Sequence, residues 1–273
     1  MNCKEVWRVN EDGVLRDTFH GLTKVFEMKE EFFFEQMTRR VSNREYKSTY
    51  YKRFKEKQID IYKSIPEIPF SNIYIAQNII PQIPKGSIVH FGLSNSLRAW
   101  TFFDFDKSIK CSANVGCRGI DGVISTAVGA SLVKRDKLIF VVLGDLAFFY
   151  DMNVMGNRHI GSNMRILLVN NSGGTEFHLY QHLGMQTMGD AVGEYVAADG
   201  HYGNKSSDLI KDYAKNLGFK YLSATDKNSF SEVMSVFLDG RIDKPIILEA
   251  FTNHRDENEA LNLIRNIVGK QNE

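Results

Sequence analysis

Four short apolar runs occur in the second part of the chain. They are rich in Ile, Val and Leu without alternating with polar residues, and they cover 87–92 (SIVHFG), 137–145 (KLIFVVLGD), 164–171 (MRILLVNN) and 244–251 (KPIILEAF). Strands that are buried on both faces have this composition, and such strands form parallel sheets covered by helices. The pattern therefore predicts a doubly wound, mostly parallel α/β domain from about residue 70 onward.

The segments between these runs have the apolar spacing of helices. They cover 119–133, the stretch after Asp145, 207–218 and 229–240. The last two segments end in Gly218 and Gly240, and glycine is the residue that most often terminates a helix. Strands alternating with helices in this way are expected of a βαβ architecture.

The first part of the chain has a different pattern. Residues 6–19 alternate like a short pair of strands around Asp12 and Gly13, and residues from about 30 to 62 have the pattern of a long charged helix. Four of the five prolines fall between 66 and 84, which indicates a boundary. We therefore expect a partial N-terminal α/β extension at 1–66 and the main domain at 67–273.

Composition restricts the classes of function. Lys and Arg number 34 and Asp and Glu 33, so the formal charge of +1 provides no basic field for nucleic acid. The three cysteines lack C-x-x-C spacing, which favours a reducing compartment. No signal peptide or membrane-spanning run is visible, so we expect a cytoplasmic protein without a membrane partner.

Two of the predicted strands end in residues suited to binding a metal and an anion. The first ends in Gly144 and Asp145, and the N–H groups of Leu146 and Ala147 follow at the start of a helix. The second ends in the sequence NNSGG, at 170–174. Carboxylate, amide and carbonyl oxygens are the ligands that Mg²⁺ accepts together with phosphate oxygens and water.

The spacing of the two motifs indicates that they lie together. The 24 residues from 146 to 169 suffice for one helix and one strand, so the Gly-Asp and Asn-Asn pairs are expected at adjacent strand ends. The alternative is two unrelated turns, since each pair alone is common. A nicotinamide-binding domain is disfavoured because no G-x-G-x-x-G follows the early strand.

The histidines offer a second metal hypothesis. His178 and His182 are four residues apart, and Asp199 and His201 follow. No H-E-x-x-H motif is present, and the surrounding sequence has the character of a loop leaving a strand. Ordinary solvent-facing histidines are therefore the favoured interpretation.

The Gly-Asp and Asn-Asn arrangement resembles the motif of thiamine-diphosphate enzymes. The segments NVGCRGIDGVISTAVGASLV, LGDLAFFYDMN and LLVNNSGGTEF are similar to the C-terminal domain of the SEPHCHC synthases, carboligases of the menaquinone pathway, and residues 6–34 resemble the end of that family's middle domain. The resemblance implies a thiamine-diphosphate-binding fold and Mg²⁺ ligation by Asp145, Asn171 and the Gly173 carbonyl.

The resemblance also assigns the neighbouring residues. It implies that Ile120, beside Gly119, props the cofactor into a bent shape, and that Ser94 and Arg98 of the G-x-S-x-x-x-R pattern contact cofactor or substrate. The alternative for that pattern is a helix-capping serine and a surface arginine. The implied cofactor contacts are Ser94, Gly119, Ile120, Gly144, Asp145, Leu146, Ala147, Asn171, Gly173, Gly174 and Thr175.

The chain departs from the family pattern where substrate is expected. Val115 stands at the position of a substrate-binding arginine, and Arg118 is the nearest replacement for the charge. Glu176 replaces an apolar pocket residue, whereas Phe177 is kept. A carboxylate there would repel a dicarboxylic 2-oxo acid unless it is paired or protonated. Arg98, Arg118, Glu176 and Phe177 are therefore the candidate substrate contacts.

The resemblance leaves the catalytic residue outside this sequence. Family members activate the cofactor with a glutamate from a separate pyrimidine-binding domain, and residues 1–90 lack the βα alternation of such a domain. We therefore expect a decarboxylase or carboligase acting on a small 2-oxo acid that needs a pyrimidine-binding partner chain, with a homo-oligomer as the other possible assembly. The alternative is a non-catalytic, cofactor-binding or scaffold subunit.

Overall fold

The computed structural model describes residues 3–41, 49–200 and 206–267. The chain divides into two compact units, Met1–Asp60 and Ile61–Glu273. None of the helices in the described ranges is long and apolar enough to cross a membrane.

The first unit contains a small two-stranded sheet. Its elements, together with a helix that continues into the second unit, are β1 (Val6–Asn10), β2 (Leu22–Glu27), α1 (Glu30–Val41) and α2 (Tyr50–Lys63). The strands pair in parallel, with Val6 opposite Leu22. The prediction of a strand pair around Asp12 and Gly13 is therefore wrong for the second strand. The Asp17 carboxylate accepts the N–H groups of Gly21 and Leu22, so the second strand starts only there.

The long helix expected at about 30–62 is present as two helices, α1 and α2. The chain between them, residues 42–48, lies outside the described ranges. Within the first unit the rings of Trp7, Phe26 and Phe33 contact one another, with centroids 5.0 to 6.3 Å apart. These contacts attach the start of α1 to the small sheet.

The second unit is built on a six-stranded sheet in which every pairing is parallel. Its strands are β3 (Ile88–Phe91), β4 (Lys110–Ala113), β5 (Ile139–Gly144), β6 (Met164–Asn170), β7 (Lys220–Ala224) and β8 (Ile246–Phe251), in the spatial order β4-β3-β5-β6-β8-β7. The four strands predicted from apolar runs are confirmed. They are the four inner strands of the sheet, and the two edge strands were not predicted.

Helices precede, connect and follow the strands of this sheet. They are α3 (Asn72–Ile79), α4 (Asn95–Arg98), α5 (Val123–Val133), α6 (Asp145–Asp151), α7 (Thr175–His178), α8 (Leu183–Met188), α9 (Val192–Tyr195), α10 (Leu209–Asn216), α11 (Lys227–Leu238) and α12 (His254–Asn266). The four predicted helical segments are confirmed, and Gly218 follows α10 with a φ of +83°. The segment after β6, expected as a loop, instead contains three short helices.

Alternate residues of the inner strands enter two separate apolar cores. Phe140 and Val142 of β5 pack on the face covered by α3, α11 and α12. Val141 and Leu143 of the same strand pack on the other face, against α5, α6 and α10. A parallel sheet with helices on both faces is a doubly wound α/β fold, as predicted.

The register of the sheet places the two predicted motifs side by side. β5 pairs directly with β6, and Gly144 lies opposite Val169. Asp145 and the two asparagines therefore follow neighbouring strand ends at the carboxyl edge, where ligands bind in open α/β sheets. The predicted adjacency of the Gly-Asp and Asn-Asn pairs is thus present.

Candidate functional site

A cavity opens at the carboxyl ends of β3, β5 and β6. Most of the residues singled out from the sequence line it: Ser94, Ile120, Gly144, Asp145, Leu146, Ala147, Asn171, Gly173, Gly174, Thr175, Glu176 and Phe177. Three others, Arg98, Gly119 and Arg118, are not part of its wall. The cavity belongs entirely to the second unit.

Asp145 begins α6 directly after β5 and is 2% exposed. Burial raises the pKa of its carboxyl to about 7, and the nearby Asp199 charge adds to the increase, against the opposing effect of the N–H groups of Leu146 and Gly173. A buried carboxylate with an acidic neighbour is unfavourable unless a proton or a cation joins it. The site is therefore electrostatically suited to a cation.

The two asparagines at the end of β6 have different surroundings. Asn170 donates its side-chain amide to Glu249 Oε1 at 2.7 Å and accepts the Ser172 N–H, so it fixes the turn. Asn171 Oδ1 is buried and has no hydrogen-bond partner among the described residues. A buried oxygen without a hydrogen-bond partner is what the predicted role of Asn171 as a metal ligand requires.

Close packing around Gly173 brings a second carboxyl group, that of Asp199, near the site. Asp199 lies directly against Gly173, and a Cβ at that position would collide with its carboxylate. Asp199 Oδ1 is also buried without a partner among the described residues. The unpartnered oxygens of Asn171 and Asp199, together with the buried Asp145 carboxylate, form a set of oxygen ligands that fits a hard divalent cation such as Mg²⁺.

Ser94 lies in a strained turn after β3. Its φ of +60° and ψ of −122° are unusual for a residue with a side chain, and such strain concentrates at functional sites. Ser94 occupies the N-cap position of α4, but its hydroxyl makes no capping hydrogen bond. The turn is held instead through Asn95, whose amide donates to the buried Glu257 at 3.1 Å.

Arg98 and Glu176 form a bidentate ion pair. The two terminal nitrogens of Arg98 donate to the two carboxylate oxygens of Glu176 at 2.8 and 2.7 Å. Of the alternative interpretation, the capping serine is absent, and the arginine is partly exposed but paired. The carboxylate that the sequence places beside the substrate is paired within the chain.

The G-I-D-G segment brings only part of its predicted residues to the cavity. Ile120 lines the cavity, whereas Arg118 is exposed and has a φ of +55°. Gly119 packs beside the Asp121 side chain, and the Asn114 amide donates to the Asp121 carbonyl at 3.2 Å. In this structure Arg118 does not replace the missing arginine at the cavity wall.

The histidines are arranged differently from the sequence expectation. His178 is not solvent-facing: its side chain is 12% exposed and its Nε2 donates to Asp199 Oδ2 at 2.7 Å. The third member of the group is His254, whose ring stacks on His178 at 3.8 Å, while His182 packs against Phe177. His201 lies outside the described ranges.

The stacked histidines are not placed to share one ion. Their ring planes are within 15° of parallel, and a metal must lie near the plane of each imidazole that binds it. Burial and His178 lower the pKa of His254 to about 4, which keeps its ring neutral. The group serves to orient Asp199 beside Gly173.

Comparison with known proteins identifies relatives of the chain. No protein-family model matches it. It is 35% identical over 254 residues to the 2-succinyl-5-enolpyruvyl-6-hydroxy-3-cyclohexene-1-carboxylate synthase of Bacteroides fragilis, which is 92% of this chain and 43% of that protein. The synthase of the same name from Phocaeicola vulgatus is 31% identical over 259 residues, which is 94% of this chain and 44% of that protein. The chain is a homologue of these synthases.

The homology extends over only part of the relatives. The Bacteroides thetaiotaomicron synthase is 34% identical over 253 residues, and here too the match is 92% of this chain and 43% of the relative. The chain thus spans less than half the length of the curated synthases it matches.

Sequence reasoning did not find every residue that shapes the site. It missed Asn95, Glu257 and His254, and it considered Asp199 only as a partner of histidines. These residues are far apart in the sequence and meet only because α12 returns to the carboxyl edge of the sheet. Ala198, next to Asp199, has a positive φ, and no local sequence motif predicts this backbone conformation.

Proposed function

We propose that this synthase homologue is the diphosphate- and Mg²⁺-binding half of a thiamine-diphosphate-dependent 2-oxo acid decarboxylase or carboligase. The observation that supports it most is the orphaned Asn171 Oδ1 beside the buried Asp145 carboxyl, at adjacent strand ends. Both side chains offer oxygen ligands, and both line the cavity. The names of the relatives support a carboligase of the SEPHCHC synthase kind.

In this proposal the carboxyl edge holds the metal and the diphosphate. Asp145, Asn171 and the carbonyl of Gly173 supply the protein ligands of Mg²⁺. Ile120 extends from the G-I-D-G segment into the cavity, where an apolar side chain excludes water and props the cofactor. Bound thiamine diphosphate supplies a nucleophilic carbon for the 2-oxo acid and an electron sink for loss of its carboxylate.

The proposal includes a second structural contribution. The activating glutamate and the pyrimidine-binding surface come from another polypeptide. The matched synthases are more than twice as long as the aligned region. Within the described ranges, the six parallel strands are all used in the diphosphate-binding sheet.

A thermal-unfolding titration tests the proposed binding. Thiamine diphosphate with Mg²⁺ at ten times the dissociation constant should stabilise the chain by about 1.4 kcal/mol, or roughly 3–6 °C in Tm. Asn171→Ala should abolish the shift, since it removes the unpartnered amide oxygen. Asp136→Asn is the control, because Asp136 is exposed and lies before β5, at the end opposite Asp145.

The outcomes separate specific binding from general stabilisation. A shift that needs both thiamine diphosphate and Mg²⁺, survives in Asp136→Asn and disappears in Asn171→Ala supports the proposal. No shift in the unaltered chain at millimolar cofactor, or an equal shift in Asn171→Ala, contradicts it.

A further inference from the structure

The pairing of Arg98 with Glu176 bears on which 2-oxo acid the site accepts. The two side chains come from different strand ends, Arg98 from α4 after β3 and Glu176 from α7 after β6. Each terminal nitrogen of the Arg98 guanidinium donates to one oxygen of the Glu176 carboxylate. Such a fork geometry is among the strongest side-chain pairings and is specific to arginine.

The pair removes one cation from recognition of substrate. Glu176 lines the cavity, and the side chains of Arg98 and Glu176 remain 30% and 25% exposed. The Glu176 carboxylate that lines the cavity is balanced by Arg98, which is not itself part of the wall. A substrate carboxylate would have to displace Glu176 from Arg98 or lie beside an unreleased negative charge, and both are unfavourable.

No other cation of the described cavity wall replaces Arg98. The residues that line the cavity include no lysine or arginine, and Arg118 is exposed away from it. The charged members of the wall are Asp145, which the proposed metal uses, and Glu176. A second carboxylate on a 2-oxo acid therefore finds no unpaired positive partner on this half of the site.

We propose that the Arg98–Glu176 pair is a specificity determinant that selects a 2-oxo acid with an uncharged side chain over a dicarboxylic one. This inference rests on the proposed function, because it takes the cavity to be the substrate pocket of a 2-oxo acid enzyme. It assigns Glu176 a role in exclusion, by neutralising the arginine that would otherwise bind a second carboxylate. Specificity of this kind depends on the difference between two affinities.

Two probes of equal length test the pair. 2-Oxoglutarate and 2-oxopentanoate differ only in a terminal carboxylate against a methyl group, and their affinities are measured by calorimetry on the full chain with Mg²⁺ and thiamine diphosphate. The unaltered chain should bind 2-oxopentanoate more tightly. Glu176→Gln keeps the size of the side chain and frees the charge of Arg98, so it should tighten 2-oxoglutarate by about tenfold or more.

A double variant serves as the matched control. Arg98→Met combined with Glu176→Gln removes both charges, so it should lose the increase in affinity for 2-oxoglutarate. The affinity for 2-oxopentanoate should change by less than about threefold in either the single or the double variant. Equal affinity of the unaltered chain for the two acids overturns the inference. An unchanged preference in Glu176→Gln, or no binding of either acid to any variant, overturns it as well.

Failure of this inference is distinguishable from failure of the proposed function. If thiamine diphosphate with Mg²⁺ stabilises the chain but Glu176→Gln leaves the preference unchanged, only the role of the pair is wrong. If the cofactor gives no stabilisation but Glu176→Gln still increases the affinity for 2-oxoglutarate, the pair controls binding and the thiamine-diphosphate proposal fails.

Discussion

Replacing Asp145 by asparagine should stabilise the empty protein and abolish its response to metal and cofactor. The carboxyl group is 2% exposed, and its pKa rises from 3.8 to about 7, chiefly through burial. A difference of roughly three pKa units corresponds to about 4 kcal/mol, the order of magnitude by which the ionised carboxylate destabilises the fold. Asparagine has the same shape and keeps an acceptor for the N–H groups of Leu146 and Gly173.

The sign of the effect depends on pH. Between pH 4 and 7 the folded state holds a proton on Asp145 that the unfolded chain has released, so the free energy of unfolding falls as pH rises. The destabilisation is absent below about pH 4 and complete above about pH 7. The free energy of unfolding of Asp145→Asn should therefore exceed that of the unaltered protein most at pH 8. Near pH 4 the two free energies should be equal.

Urea unfolding at pH 4.5 and pH 8, with and without Mg²⁺ and thiamine diphosphate, measures both effects. Comparison at a single pH cancels the other titrating groups. The exposed Asp136→Asn should change the free energy of unfolding by less than about 0.5 kcal/mol and keep the cofactor response. A stability difference for Asp145→Asn that does not grow with pH, or a retained cofactor response, would refute the electrostatic account of Asp145.

Three further substitutions test the surrounding structure. Gly173→Ala forces the Asp199 carboxylate away, so it should lower stability by about 1–3 kcal/mol and remove the thermal shift with cofactor; an unchanged shift would contradict the packing argument. Phe140 is 2% exposed and packs against Phe237 of α11. Phe140→Ala should lower the free energy of unfolding in urea by about 3–5 kcal/mol, and a decrease below about 1 kcal/mol would contradict its place in the core. Asp226→Ala removes the side chain that caps α11 through the Asn228 and Ser229 N–H groups, and should cost about 1 kcal/mol without changing cofactor binding.

The inner part of the fold was predictable because its strands are buried on both faces. β5 and β6 consist mostly of buried aliphatic and aromatic residues, a composition typical of strands covered by helices on both faces. β4 (KCSA) and β7 (KYLSA) lie at the edges of the sheet, where exposed polar residues break the apolar pattern. Sequence pattern alone could not distinguish these two strands from loops.

The candidate site was predictable where its residues are local in sequence. The Gly144-Asp145 and Asn-Asn motifs each sit at a strand end, and the spacing between them fixed their adjacency. The pairing of Arg98 with Glu176 joins positions 78 residues apart, and that of His178 with Asp199 joins positions 21 residues apart, on either side of α8 and α9. Contacts of this kind are set by tertiary packing and leave no periodic signal.

The most direct test is to locate the metal. Crystals of the chain grown with Mn²⁺ and thiamine diphosphate can be measured at the manganese absorption edge, where Mn²⁺ replaces Mg²⁺ at oxygen ligands. We predict one anomalous peak within bonding distance of the Asp145 carboxylate and Asn171 Oδ1, with diphosphate density beside it. Crystals without a peak at that position, or with a peak only at His178 and His254, would contradict the central claim.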